Sequence, residues 1–198
     1  MKYFIDLGFY VGWATTKILE EDMEYICYAF DPNKTLFDNS RYAIKEQISD
    51  VLDKFGNRII FSDKAAWIDD CELDFVIGAR DAQGSTLLVN DKKGNISTNI
   101  IKCQCFDFSK WVINTFNKSD YINLKIDIEG AEYKILPKMI AEGSIDYINK
   151  IEIEFHIRKM KSEIQKKLVP LHKELLDYFL HKSTIEVVLH NTRLCGIV

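Results

Sequence analysis

The residues of this chain that could do chemistry form two groups, each read at the ends of short apolar strands. In the first, Tyr3-Phe4-Ile5-Asp6-Leu7-Gly8-Phe9-Tyr10-Val11-Gly12 carries a strand into an acid and then two glycines, just before helix-forming sequence. Glycine there lets the backbone turn sharply, at positive φ if needed, and lets a ligand approach the backbone amides without meeting a Cβ. The spacing is not that of a dinucleotide fingerprint, G-x-G-x-x-G, because three residues separate the glycines and no third follows. Asp31, before Pro32, adds a carboxylate at the next strand tip. It can accept hydrogen bonds from both hydroxyls of a ribose, or cap a helix starting at Asn33. A third tip reads Ser62-Asp63-Lys64-Ala65.

In the second group, Asp127 and Glu129 follow one later strand, and Glu154 and His156 follow the next. Crowded carboxylates raise one another's pKa, so one of the four can be held near neutrality as a general base. Their oxygens also suit Mg²⁺. The alternatives are that Glu129 caps a helix at Ala131 and that His156 is an ordinary half-buried histidine.

Positioning these groups requires a sheet. Tyr3 to Asp6, Tyr25 to Asp31, Arg58 to Phe61, Tyr121 to Asp127 and Lys150 to Phe155 read as strands. Helical patterns run from Trp13 to Glu21, Thr35 to Lys54, Tyr133 to Glu142 and Lys161 to His181. Such alternation predicts βαβ units and a parallel sheet, whose ligands bind beyond the carboxyl ends of the strands. Thr184 to His190 and Arg193 to Val198 read as a closing antiparallel hairpin. Residues 63–105 change to short strands (Leu73 to Ile77, Thr86 to Val89, Asn99 to Cys105), a β-rich insertion lying against the main sheet.

The 198 residues, 47% hydrophobic, suffice for one core and one domain over 1–198. A net charge of −4 argues against coating nucleic acid through overall charge. No apolar run approaches the roughly 20 residues that span a bilayer. The first strand begins too early for a signal peptide, so a cytoplasmic location is expected. The five cysteines are odd in number and scattered through strands, as reduced core residues would be; Cys103-Gln104-Cys105 lacks zinc-ligand spacing.

Taken in order, these segments resemble a known family. Asp6-x-Gly8-x-x-x-Gly12 is similar to motif I of S-adenosylmethionine-dependent methyltransferases. With Tyr28-Ala29-Phe30-Asp31-Pro32-Asn33, Lys64-Ala65-Ala66-Trp67-Ile68, Gly84-Ser85-Thr86-Leu87-Leu88 and Cys105-Phe106-Asp107-Phe108, the chain resembles the FkbM methyltransferases. Leu124-Lys125-Ile126-Asp127-Ile128-Glu129-Gly130-Ala131-Glu132 and Ile151-Glu152-Ile153-Glu154-Phe155-His156 complete the likeness. The resemblance implies a Rossmann-like, seven-stranded α/β fold, mostly parallel with an antiparallel last strand, S-adenosylmethionine as cofactor, and methylation of a hydroxyl on a carbohydrate or small metabolite.

On that reading, amides near Gly8 and Gly12 hold the methionine carboxylate, Asp6 its amino group and Asp31 the ribose. Adenine lies near Asp63, Lys64 and Ala65. Asp127, Glu129, Glu154 and His156 are the candidates for base, or for ligands of Mg²⁺. Phe9 and Tyr10, where the family generally has a small residue after the motif I glycine and often Asn beside it, are expected to crowd the methionine end, so a degenerate cofactor-binding scaffold is one competing reading. An RNA ribose 2'-O-methyltransferase is another, raised by Lys125, Asp127 and the basic run Arg158, Lys159, Lys161, Lys166, Lys167 and Lys173.

Overall fold

The computed structural model describes residues 1–34, 36, 42–78, 82–88, 90–93 and 99–194. In chain order the elements are β1 (Lys2–Leu7), α1 (Trp13–Glu21), β2 (Tyr25–Phe30), α2 (Tyr42–Phe55), β3 (Ile59–Ser62), β4 (Ala65–Trp67), β5 (Cys71–Gly78), β6 (Ala82–Thr86) and β7 (Ile100–Asp107). There follow α3 (Phe108–Thr115), β8 (Tyr121–Ile126), α4 (Glu132–Glu142), β9 (Lys150–Glu154), α5 (Ser162–His181) and β10 (Glu186–His190).

Among the described residues six strands form the main sheet in the order β10-β9-β8-β1-β2-β3, and every pairing is parallel. β1 is central, with Leu7 opposite both Phe30 and Ile126. The period of two along β1 divides the interior. Tyr3, Ile5 and Leu7 pack into one cluster with Leu124, Ile153, Leu136 and Phe179, while Phe4 faces the other with Leu19, Cys27, Ala29 and Ile48. Helices therefore cover both faces, which is why these strands read as continuous apolar runs. The chain leaves β1 toward β2 and β3 on one side, then crosses back to β8, so order reverses between β1 and β8.

The insertion is a second sheet, β4-β7-β5-β6, which shares both core clusters through Ala65, Ala66, Phe75, Cys105 and Phe106. It runs further than expected, to Asp107 in β7, and recruits β4, parallel to β7.

Three expectations are corrected. β10 runs parallel to β9, not antiparallel, because the 20-residue helix α5 returns the chain to the same end of the sheet before β10 begins. Of the expected partner strand, Arg193 and Leu194 are not in a strand and 195–198, including Cys195, lie outside the described residues. The strand placed at Thr86 to Val89 ends at Thr86 instead; the Thr86 hydroxyl donates to Glu129 O (3.0 Å) and accepts from Leu88 N (3.0 Å), turning the chain out of the sheet. Val89 lies outside the described residues. Helix α3, capped by the Asp107 carboxylate on Lys110 N, was not foreseen. The helix expected from Thr35 is described from Tyr42; residues 35 and 37–41 lie outside the described residues.

Cys27, Cys71, Cys103 and Cys105 are free thiols, and all but Cys71 are buried. Among the described residues no helix is long and apolar enough to cross a membrane.

Candidate active site at the sheet switch point

The loops after β1 and β8 meet where strand order reverses, the place at which open α/β sheets bind ligands. Their approach is close enough to demand glycine. A Cβ on Gly8, at φ +86°, would lie 2.0 Å from Asp127 O. Gly12 adopts φ +79° just before α1, and its added Cβ would strike the Phe9 ring at 2.7 Å. Between them Tyr10 takes φ +49°, unusual without glycine, and its amide donates to Asp31 Oδ2 (2.8 Å).

This winding pairs several of the loop's amides within the protein. Gly8 N and Phe9 N donate to Phe30 O, and Gly12 N donates to Phe9 O. Of the amides near Gly8 and Gly12 expected to hold a ligand, these three are therefore already paired within the protein. Asp6 is likewise engaged, fully buried and accepting from Thr15 Oγ1 (2.8 Å) and Lys125 Nζ (3.0 Å). Lys125 also reaches Gly8 O (3.2 Å) and stands 3.7 Å from Asp127 Oδ2. Burial disfavours its charge, but Asp6 and Asp127 outweigh this and push the ammonium pKa up.

A cavity of about 410 Å³ opens here, bounded by Gly8, Asp31, Ala65, Lys125, Asp127 and Glu154 among others. That is a small-molecule volume. The insertion contributes Phe75, Gly84, Ser85 and Leu87 to its wall. Phe9, only 3% exposed, lines the cavity and packs edge-on to Phe61. Tyr10 and Trp13 pair edge to face at 5.8 Å on the cavity wall, with Trp13 65% exposed.

At the cavity's β2 end, Asp31 is buried and its oxygens accept from Tyr10 N and Asn33 N (2.9 Å). Burial pushes its carboxyl pKa up, while those two amide bonds pull it down. Lys64 and Ala65 line the cavity. Asp63 does not; it is half-exposed and pairs with Lys34 (2.8 Å).

At the β8 and β9 ends the four predicted residues come together. His156 is 1% exposed, with Nε2 3.4 Å from Asp127 Oδ1, 3.6 Å from Glu154 Oε1 and 3.7 Å from Glu129 Oε1. Asp127, Glu129 and Glu154 line the cavity, whereas His156 stands behind them. Glu129 sits at φ +55° and Gly130 at φ +111°. This turn presents the Glu129 carboxylate to Lys92 Nζ and Lys159 Nζ, each at 2.7 Å.

At Glu129 the electrostatics reverse the expectation that crowded acids raise one another's pKa. Burial alone would raise the Glu129 carboxyl, but His156, Lys92 and Lys159 outweigh it and hold the pKa below the ordinary value. Burial pushes the His156 pKa down, and Glu132 with Glu129 more than reverse this. Two contributors were missed in the sequence. Glu132, wholly buried, accepts from Gly130 N (2.7 Å) and His156 N (2.8 Å), and its Oε1 lies 3.4 Å from His156 Nδ1. Its signal was the second glutamate of Glu129-Gly130-Ala131-Glu132. Lys92, which also donates to Gly84 O (2.7 Å), carried none, because it is 37 residues from Glu129. Of the basic run, Lys159 is the residue that lines the cavity.

Comparison with curated proteins and with solved structures gives no match. The family model for the methyltransferase FkbM domain matches residues 6–185, which span both strand-end groups, the insertion and the main sheet from the end of β1 through β9. On that coverage the chain belongs to the FkbM methyltransferase family.

Proposed function

We propose that this chain is an S-adenosylmethionine-dependent O-methyltransferase, one domain over residues 1–198, that methylates a hydroxyl of a carbohydrate or small metabolite. The observation that carries the reading is a single cavity with a backbone-anchored carboxylate, Asp31, at one end and cavity-facing carboxylates, Asp127 and Glu154, at the other. Each Asp31 oxygen, having accepted one amide, keeps a lone pair for a ribose hydroxyl. Adenine lies along Ala65, Ala66 and Phe75 beside Lys64. The methionine carboxylate meets the Lys125 ammonium, which supplies the charge that the self-bonded amides of Gly8 and Gly12 do not.

Methyl transfer is an in-line displacement. The acceptor oxygen forms a bond to the methyl carbon, the carbon–sulfur bond breaks with its electron pair passing to sulfur, and the acceptor's proton leaves to a base. Asp127 and Glu154 are the cavity-facing carboxylates placed to take it: Glu129 is held ionised by two lysines, and His156 is walled off from the cavity. The flat faces of Tyr10 and Trp13 favour an acceptor with a partly apolar ring, such as a pyranose.

Calorimetric titration with S-adenosylmethionine, then transfer of its labelled methyl group across a panel of glycans, hydroxylated metabolites and RNA, tests the reading. Saturable cofactor binding and label on a sugar or small hydroxyl compound are expected. No binding at millimolar cofactor would sink the proposal, and label on RNA alone would replace the acceptor with the ribose 2'-hydroxyl.

A further inference from the structure

We propose that Asp127, Glu129 and His156 form a site for a divalent first-row transition-metal ion, Mn²⁺ or Zn²⁺, at the carboxyl ends of β8 and β9. One ligand atom from each residue lies within 4.8 Å of the other two. An acidic cluster alone would not make a site; the buried imidazole does. Among the described residues, both ring nitrogens of His156 lack a hydrogen-bond partner although the residue is 1% exposed. Nε2 faces three carboxylate oxygens at 3.4, 3.6 and 3.7 Å, all beyond the usual 2.7–3.2 Å of an N–H···O bond. Bonds of about 2.1 Å to one shared ion place neighbouring donors roughly 3.0 to 3.4 Å apart at octahedral to tetrahedral angles, a separation that the Asp127 contact meets and that the other two reach on drawing in by a few tenths of an ångström.

The imidazole is backed as a metal-bound histidine is. Glu132 Oε1 lies 3.4 Å from Nδ1, and the carboxylate is fixed by the amides of Gly130 and His156. A carboxylate behind Nδ1 favours the tautomer with hydrogen there, leaving the Nε2 lone pair aimed at the cluster. The two acidic ligands divide their oxygens. Asp127 turns Oδ2 toward Lys125 and Oδ1 toward His156. Glu129 gives Oε2 to Lys92, while its Oε1 faces His156 and accepts from Lys159. Lys159, 49% exposed along its side chain, is therefore the ion's competitor and can swing into solvent. Glu154 Oε1, which also accepts from Asn191 Nδ2 (2.8 Å), stands at the edge as a further oxygen.

The nitrogen donor sets the ion's class. Mg²⁺ takes oxygen ligands and keeps most of its water, whereas imidazole suits the later divalent ions. Use of the ion in catalysis, as a Lewis acid that lowers the pKa of an acceptor hydroxyl, rests on the methyltransferase reading. Its binding does not.

The test uses the full chain, free of any histidine tag, stripped with EDTA and titrated calorimetrically with MnCl₂, ZnCl₂ and MgCl₂, with the Mn²⁺ resonance spectrum as a second readout. One Mn²⁺ or Zn²⁺ per chain is expected, with Mg²⁺ at least tenfold weaker. Asp127→Asn and Glu129→Gln should each weaken binding more than tenfold, and Glu132→Gln by about 10- to 100-fold. Lys159→Ala should tighten it. His156→Gln should abolish binding, but it alters a buried core position, so the two carboxylate variants on the cavity wall carry the test if it fails to fold. The site is refuted by no saturable binding at millimolar Mn²⁺ or Zn²⁺, by binding that survives the Asp127→Asn, Glu129→Gln double variant, or by Mg²⁺ binding as tightly as Mn²⁺. Parallel titration with S-adenosylmethionine separates the two proposals: metal without cofactor affinity sinks only the methyltransferase reading, and cofactor without metal sinks only this site.

Discussion

Asp31 and Glu129 are carboxylates on the wall of the same cavity, held in opposite ways. Asp31 is fixed by two backbone amides and raised in pKa by burial; Glu129 is fixed by two lysine side chains and lowered despite burial. Backbone anchors move only if the fold moves, so on the proposed function Asp31 positions the cofactor. Side-chain anchors can exchange partners, so on the same proposal the β8 and β9 end changes state during the reaction. One end of the cavity should therefore govern affinity and the other turnover.

The largest expected effect is at the acid end. Asp127→Asn, which keeps shape and removes charge, should lower turnover by about 10²- to 10⁴-fold with cofactor affinity little changed. Steady-state kinetics beside calorimetry decides, and a variant with full turnover would end the division of labour. Next is the residue between the two ends. Gly8→Ala places a methyl group against Asp127 O at a φ that alanine resists, and should cost on the order of 2 to 4 kcal/mol of stability, read from urea unfolding. A wild-type midpoint would show that the switch point tolerates a Cβ. Third, Asp31→Ala should weaken S-adenosylmethionine by about 1.5 to 3 kcal/mol while leaving the turnover of bound complex nearly intact. A loss confined to turnover would invert the comparison.

The smallest effect lies outside both ends. His172 is buried, Tyr133 Oη lies 2.7 Å from its Nδ1, and its Nε2 reaches Thr192 O at 3.1 Å, so the neutral ring is fully bonded. Burial pushes its pKa below 6.5. The unfolded chain then takes up the proton first, so this stabilisation is complete above about pH 6.5 and fades as pH falls toward the native value, by at most about 1.4 kcal/mol per pH unit. Urea midpoints from pH 8 to 5 should show this acid limb, and His172→Gln should flatten it.

Much of the site was legible because its groups sit at strand ends, where an apolar run meets a polar residue. Asp31, Lys64, Ala65, Asp127, Glu129 and Glu154 all reach the cavity wall. What stayed hidden follows from what residue types cannot encode. Nothing in Gly8 or Gly12 says whether the loop's amides point outward or close on themselves. The apolar run of β10 has no direction until α5 delivers it parallel to β9. Lys92 and Lys159 reach Glu129 from distant segments, so the charge balance that lowers its pKa is a product of the fold.

The register of β1 has a consequence for how the chain comes together. Its two neighbours are β2, reached within a few dozen residues, and β8, whose Tyr121 pairs with Lys2 across 119 positions. Until residue 126 is available, one side of the most buried strand offers unpaired amides and carbonyls to any other chain. Contacts of such long sequence separation form slowly, and open strand edges template aggregation. Fragments ending before Tyr121 should therefore associate through β1, and refolding yield should fall with rising protein concentration.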